Sequence, residues 1–287
     1  MAALLALASA LAYGVGDFFG GLSARRLPPA AVVLRSQAVG LVGLLVVVPL
    51  LGDAAPTPGD LVVGALGGVA GATGLLVFYR AMAKGVMSLV APVTSVQSAV
   101  VPIVFGLAGG ERPAAPVLVG IPVALAAVGL LARGPAADDE RAAGSLSVVR
   151  LVEALVAGTG FGLYFVALDV AGDDAGLWPV VSGRATSVAL LGLLTLVLAS
   201  ARVGDGRARR GRLPAMLAAC GLLDAAANAL FLLATHHGML TLVAVLGSLY
   251  PASTLALARA VLGERLARPQ LAGVALAGMA VTLVAAG

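Results

Sequence analysis

Four charged side chains interrupt long apolar runs: Asp17, Arg35, Arg184 and Asp224. A charge near the centre of a bilayer costs about 2.5–3.5 kcal/mol on insertion scales, so each needs a partner or a water-filled cavity. Asp17 and Arg35 fall at matching depths on successive runs, which makes an ion pair between them feasible. Three roles are open to that pair: a staple between helices, contact of Arg35 with an anionic solute, and proton exchange at Asp17. The arginine fork suits carboxylate or phosphate. Arg184 has no evident counter-ion in its own part of the chain, so it is expected to meet substrate or to snorkel to the outer surface. Asp224 has Asn228 one turn later on the same face and is read as a coupling or binding carboxylate, against a merely packed one. Tyr13, Gln97, Tyr164 and Tyr250 join the set as cavity-lining or interhelical hydrogen-bonding groups.

Other chemistries find little support. His236 and His237 are adjacent and do not share a helix face, and no cysteine or carboxylate cluster completes a metal site. Cys220 is the single cysteine, so no intramolecular disulfide forms. No nucleotide motif is present, and no cofactor is expected. Gly14-Val15-Gly16-Asp17 fits the G-x-G-D pattern of intramembrane aspartyl proteases, with Asp224 as the second carboxylate. That is the alternative function. Against it, Leu223 precedes Asp224 where some of those enzymes carry tyrosine, and no convincing Pro-Ala-Leu element follows.

The elements that must hold these residues follow from composition. The chain has 287 residues, is 60% hydrophobic and 11% charged, and has mean hydropathy +1.06. A soluble domain of this length cannot hide so much apolar surface. In lipid only helices and closed barrels pair all their backbone groups. The runs are about 20 residues long without period-two alternation, which suits spanning helices rather than barrel strands. Ten spans are predicted, at 2–22, 30–51, 60–82, 86–108, 114–132, 151–170, 178–200, 213–235, 239–260 and 269–286. Pro92, Pro102 and Pro251 are expected to interrupt spans 4 and 9. The hydrophilic stretch from Arg133 to Arg150 reads as a linker.

The chain also repeats itself. Residues 78–112 return at 231–265 without a gap, from Phe78/Phe231 to Gly110-Glu111-Arg112 and Gly263-Glu264-Arg265. Gly120 and Ala124 match Gly273 and Ala277 further on. Earlier spans align more weakly: Tyr13 falls opposite Phe161, Asp17 opposite Phe165, and Arg35 opposite Arg184. Asp224 falls opposite Gly71, and Gln97 opposite Tyr250. Five spans per copy invert the second copy relative to the first. The expected fold is an all-α integral membrane protein of ten transmembrane helices in two inverted five-helix repeats. The first repeat is 1–133, the linker 134–150 and the second repeat 151–287.

Loop charge sets orientation. The loops after spans 1, 3, 5, 7 and 9 carry Arg25, Arg26, Arg80, Lys84, Arg133, Arg141, Arg150, Arg202, Arg207, Arg209, Arg210, Arg212, Arg259, Arg265 and Arg268, whereas the opposite loops carry only Arg112. Both termini are therefore expected outside the cytoplasm. The same distribution explains the net charge of +4 without a nucleic-acid partner.

With this duplication and its Gly-Glu-Arg ends, the chain resembles the EamA-type members of the drug/metabolite transporter superfamily over essentially its whole length. The clearest segments are Leu89 to Arg112 and Leu242 to Arg265. The resemblance implies a secondary transporter of the plasma membrane rather than an enzyme. It implies a small-molecule substrate such as a metabolite, amino acid or drug-like compound, and favours efflux. It supplies no binding residues that transfer by motif. The physical reading adds a solute site between the copies, alternating access and a coupling proton. The bilayer is the other partner, and a monomer is compatible with the sequence.

Overall fold

An apolar run in lipid closes its backbone hydrogen bonds within itself, and the described apolar runs are helical. The computed structural model describes residues 1–52, 54–83, 87–131, 148–198, 213–262 and 267–286. Its helices are α1 (Ala2–Ala24), α2 (Pro29–Leu51), α3 (Pro58–Ala83), α4 (Met87–Ala108) and α5 (Ala115–Leu131). The second part holds α6 (Val148–Val170), α7 (Trp178–Leu198), α8 (Leu213–Thr235), α9 (Leu240–Gly247), α10 (Tyr250–Leu262) and α11 (Arg268–Ala285). Among the described residues nine spans are long and apolar enough to cross a membrane, counting α9 and α10 as one, and α5 is shorter. Residues 134–147 of the expected linker lie outside the described residues, as do Lys84, Arg133, Arg202 and Gly263-Glu264-Arg265, while residues 148–150 begin α6.

The proline expectation divides. Helix α4 runs unbroken through Pro92 and Pro102, while span 9 breaks at Ser248-Leu249, just ahead of Pro251. Pro251 has no N–H to continue α9 and instead occupies the first turn of α10, where none is needed. Ala252 N–H then bonds to Leu249 O at 3.0 Å, so the Ser248 carbonyl loses its helical donor. The Ser95 hydroxyl of α4 donates to that carbonyl at 2.5 Å. The matching hydroxyl, Ser248, does not return the bond but donates to Val245 O at 2.7 Å, and Ser95 O accepts instead from Ser98 of its own helix at 2.9 Å.

The strongest packing joins α1 to α8 and α3 to α6, with α5 against α11. Exchange of the two parts of the chain converts the first pairing into the second and returns the third to itself. Glycine sets how closely these helices meet. A Cβ at Gly68 would lie 2.6 Å from Gly183 Cα, and one at Gly221 would lie 3.1 Å from Ser36 Cα. These contacts are counterparts, 221 against 68 and 183 against 36. They place spans 2 and 7 in a register of 147 residues, not the 149 that aligned Arg35 with Arg184. The counterpart of Arg184 by contact is Gln37.

Hydroxyls replace apolar grip at other crossings. Ser9 donates to Ala227 O at 2.7 Å, and Thr254 donates to Gly14 O at 3.0 Å, tying α1 to α8 and α10. Leu45, Val46 and Leu50 on α2 and Leu193, Leu196 and Val197 on α7 point outward, as lipid contact requires.

Candidate functional site

The middles of α1, α2, α3, α6, α7 and α8, with α4 and the start of α10, line a partly open central cavity. Seven of the nine residues singled out from sequence line it: Tyr13, Asp17, Tyr164, Arg184, Asp224, Asn228 and Tyr250. Arg35 and Gln97 do not. Arg35 is exposed on α2, and Gln97 donates to Thr159 Oγ1 at 3.1 Å between α4 and α6.

The ion pairing differs from expectation. Arg184 does not snorkel; its side chain is 1% exposed, and Nη2 lies 2.7 Å from Asp224 Oδ2. The same Asp224 oxygen accepts a 3.1 Å hydrogen bond from Gln37 Nε2. The counter-ion that the second part of the chain lacked by sequence is thus supplied one helix later. Asp17 and Arg35 form no pair, because Arg35 faces away from the cavity into which Asp17 opens. Among the described residues Asp17 has no hydrogen-bond or ion-pair partner. Two adjacent residues of α2 explain the error. Ser36 is locked against Gly221, and this rotates Gln37 inward and Arg35 outward.

Aromatic rings make most of the remaining wall. Tyr13 donates its hydroxyl to Asn228 Oδ1. Its ring centroid lies 5.8 Å from that of Phe165 and 6.4 Å from that of Tyr250, and Phe165 stacks on Phe231 at 4.2 Å. Gly71, the sequence counterpart of Asp224, makes room for Tyr164: a Cβ there would sit 3.3 Å from the Tyr164 ring. The asymmetry between Asp224 and Gly71 is therefore a carboxylate on one wall and an aromatic ring on the other.

Sequence reasoning did not select Gln37, Ser98, Ser187, Phe161 or Phe165, all of which line the cavity. The signal for the two phenylalanines was present, since they are the repeat partners of Tyr13 and Asp17. Gln37 needed only the corrected register. No group of three metal-binding side chains occurs among the described residues, and His237 bonds its own helix through Nδ1 and Leu233 O at 2.7 Å.

Among the described residues, nine apolar spans long enough to cross a membrane and a polar-lined central cavity define a multi-pass membrane protein. The model of the EamA-like transporter family matches residues 151–286. Residues 151–286 are thus similar to the EamA-like transporter family, which is of the drug/metabolite type. Members of that family are transporters and not enzymes. A solved structure described only as a crystal structure of a protein shares the fold, with TM-score 0.73 and 16% identity over 97% of this chain and 98% of that one. The comparison with curated proteins gave no match. The protease alternative gains nothing from the geometry, since Asp224 is committed to Arg184 and Gln37 rather than to a second carboxylate.

Proposed function

We propose that this protein is a secondary transporter that moves a small organic solute by alternating access through the central cavity. The observation that carries this reading is the construction of the cavity. It draws α1, α2, α3 and α4 from one part of the chain and α6, α7, α8 and α10 from the other. Relative motion of residues 1–133 against 151–287 as inverted units opens such a cavity to one side and then the other. Gly68 against Gly183 and Gly221 against Ser36 give that motion two backbone contacts without interlocked side chains.

Asp17, Tyr13, Tyr164, Asn228 and Tyr250 form the solute wall in this proposal, and the Arg184–Asp224 pair is the coupling element. A proton arriving at Asp224 weakens its hold on Arg184 and frees Gln37, so protonation and rearrangement of α2, α7 and α8 are linked. Efflux across the plasma membrane, with both termini outside, completes the reading. Its supports are family resemblance and the loop charge of the sequence.

The direct test is flux. Purified protein in liposomes is expected to exchange a solute identified by comparing metabolite release from cells with and without the protein. Wild type is expected to respond to an imposed proton gradient. Full gradient-dependent transport by Asp224→Asn would remove the coupling role. A cytoplasm-active reporter fused after Gly287 is expected to be silent.

A further inference from the structure

We propose that the central cavity takes an organic cation, with the Asp17 carboxylate and the Tyr13 ring as its ammonium subsite. This inference rests on the transporter reading above and names the charge class of its solute. The charged side chains that line the cavity are Asp17, Arg184 and Asp224. Sequence alone favoured an anion, because two arginines were expected there. The geometry reverses that sign.

Arg35 is outside the cavity, and Arg184 is sealed within the wall. Neither Nη1 nor Nη2 of Arg184 presents surface, and its side chain is only 1% exposed. Nη1 is turned toward α2, where a Cβ on Gly40 would lie 3.0 Å away. An incoming carboxylate therefore finds no donor of Arg184 to reach. The guanidinium is also neutralised, since Asp224 sits 2.7 Å from it. With that pair summing to zero, the uncompensated charge belongs to Asp17. Its carboxylate is half-buried and has no partner among the described residues.

A desolvated carboxylate without a counter-ion is costly, and a cationic ligand supplies what the protein does not. The neighbourhood suits that ligand. Tyr13 stands one turn before Asp17 on α1, so ring and carboxylate share a face. Phe165 and Tyr250 flank Tyr13 at 5.8 and 6.4 Å, tilted to it by 59° and 56°. Ring faces so arranged attract an ammonium by their quadrupoles, while the apolar body of the ligand packs on the same rings. An anion would meet one like charge, electron-rich faces and no accessible cationic donor.

The experiment uses the full chain in lipid nanodiscs with three probes that share one ring: phenethylammonium, 3-phenylpropionate and phenylalanine. Phenethylammonium is expected to bind and 3-phenylpropionate is not. Asp17→Asn is expected to weaken phenethylammonium about tenfold or more, Asp17→Glu to retain most binding, and Phe165→Leu to weaken it severalfold. Tighter binding of 3-phenylpropionate, binding of phenylalanine without phenethylammonium, unchanged affinity in Asp17→Asn, or no phenethylammonium binding would each overturn the subsite. Flux in liposomes separates the two readings. Phenethylammonium that binds through Asp17 but is not moved leaves the subsite standing and removes the transporter role. Carrier-mediated flux of 3-phenylpropionate alone does the reverse.

Discussion

Replacing Asp224 by asparagine removes the one charge that balances a guanidinium sealed in the helix bundle. Arg184 is 1% exposed and cannot turn to water, whereas Asp224 is 18% exposed and opens partly to the cavity. Breaking a buried pair from one side costs about 3–5 kcal/mol, because the other charge stays buried. The asparagine carbonyl still accepts from Arg184 or Gln37, and the site is partly wet, so the low end applies, about 3 kcal/mol. At about 2–3 °C per kcal/mol for a chain of this length, the apparent unfolding midpoint falls by about 6–9 °C. The assay is thermal unfolding of detergent-solubilised protein followed by size-exclusion of the remaining monodisperse fraction. A double variant, Arg184→Leu with Asp224→Leu, removes both charges and is expected to be more stable than either single leucine variant. Strictly additive losses in that cycle, or an Asp224→Asn midpoint within about 1 °C of wild type, would refute the pairing argument.

Other outcomes follow from the same geometry. Arg35→Gln is expected to leave solute affinity within about twofold, since the residue lies outside the cavity; a tenfold loss in a binding assay would return Arg35 to the site. Gly221→Val places a side chain against the Ser36 backbone and is expected to cost about 1–3 kcal/mol, read as a lower thermal midpoint and slower transport. Glu111 accepts from Leu240 N at 2.6 Å, Thr241 N at 2.9 Å and the Thr241 hydroxyl at 2.5 Å, so it caps α9 from the loop before α5. Glu111→Ala is expected to cost about 1–2 kcal/mol, with faster hydrogen exchange at Leu240 and Thr241 as its local signature.

Much of the candidate site was legible in the chain because polar groups are rare there and each one demands a reason. Asp17, Arg184 and Asp224 stood out on that ground, and all three line the cavity. Gln97 stood out equally and instead bridges α4 and α6, because an interhelical hydrogen bond answers the same demand as a solute contact. Phe161 and Phe165 went unselected because an aromatic residue in an apolar run carries no such demand. Arg35 and Gln37 show the limit most clearly. They are two positions apart, which on a helix of 3.6 residues per turn is about 200° of rotation. One faces the cavity, the other faces out, and no periodicity in so uniformly apolar a helix says which.

The sequence by itself determined the solvent, the secondary structure, the spacing of the spans and the internal duplication. All of these follow from local composition, from hydrogen bonding in lipid and from comparison of the chain with itself. Tertiary structure decided the pairings: Arg184 with Asp224, Gln37 with Asp224, and Asp17 with no described partner. Those outcomes depend on how far each helix is turned about its axis. Here the turn is set by backbone contacts such as Gly221 with Ser36, made between residues 185 positions apart in the chain. That rotation turned a cavity expected to attract anions into one whose uncompensated charge is a carboxylate.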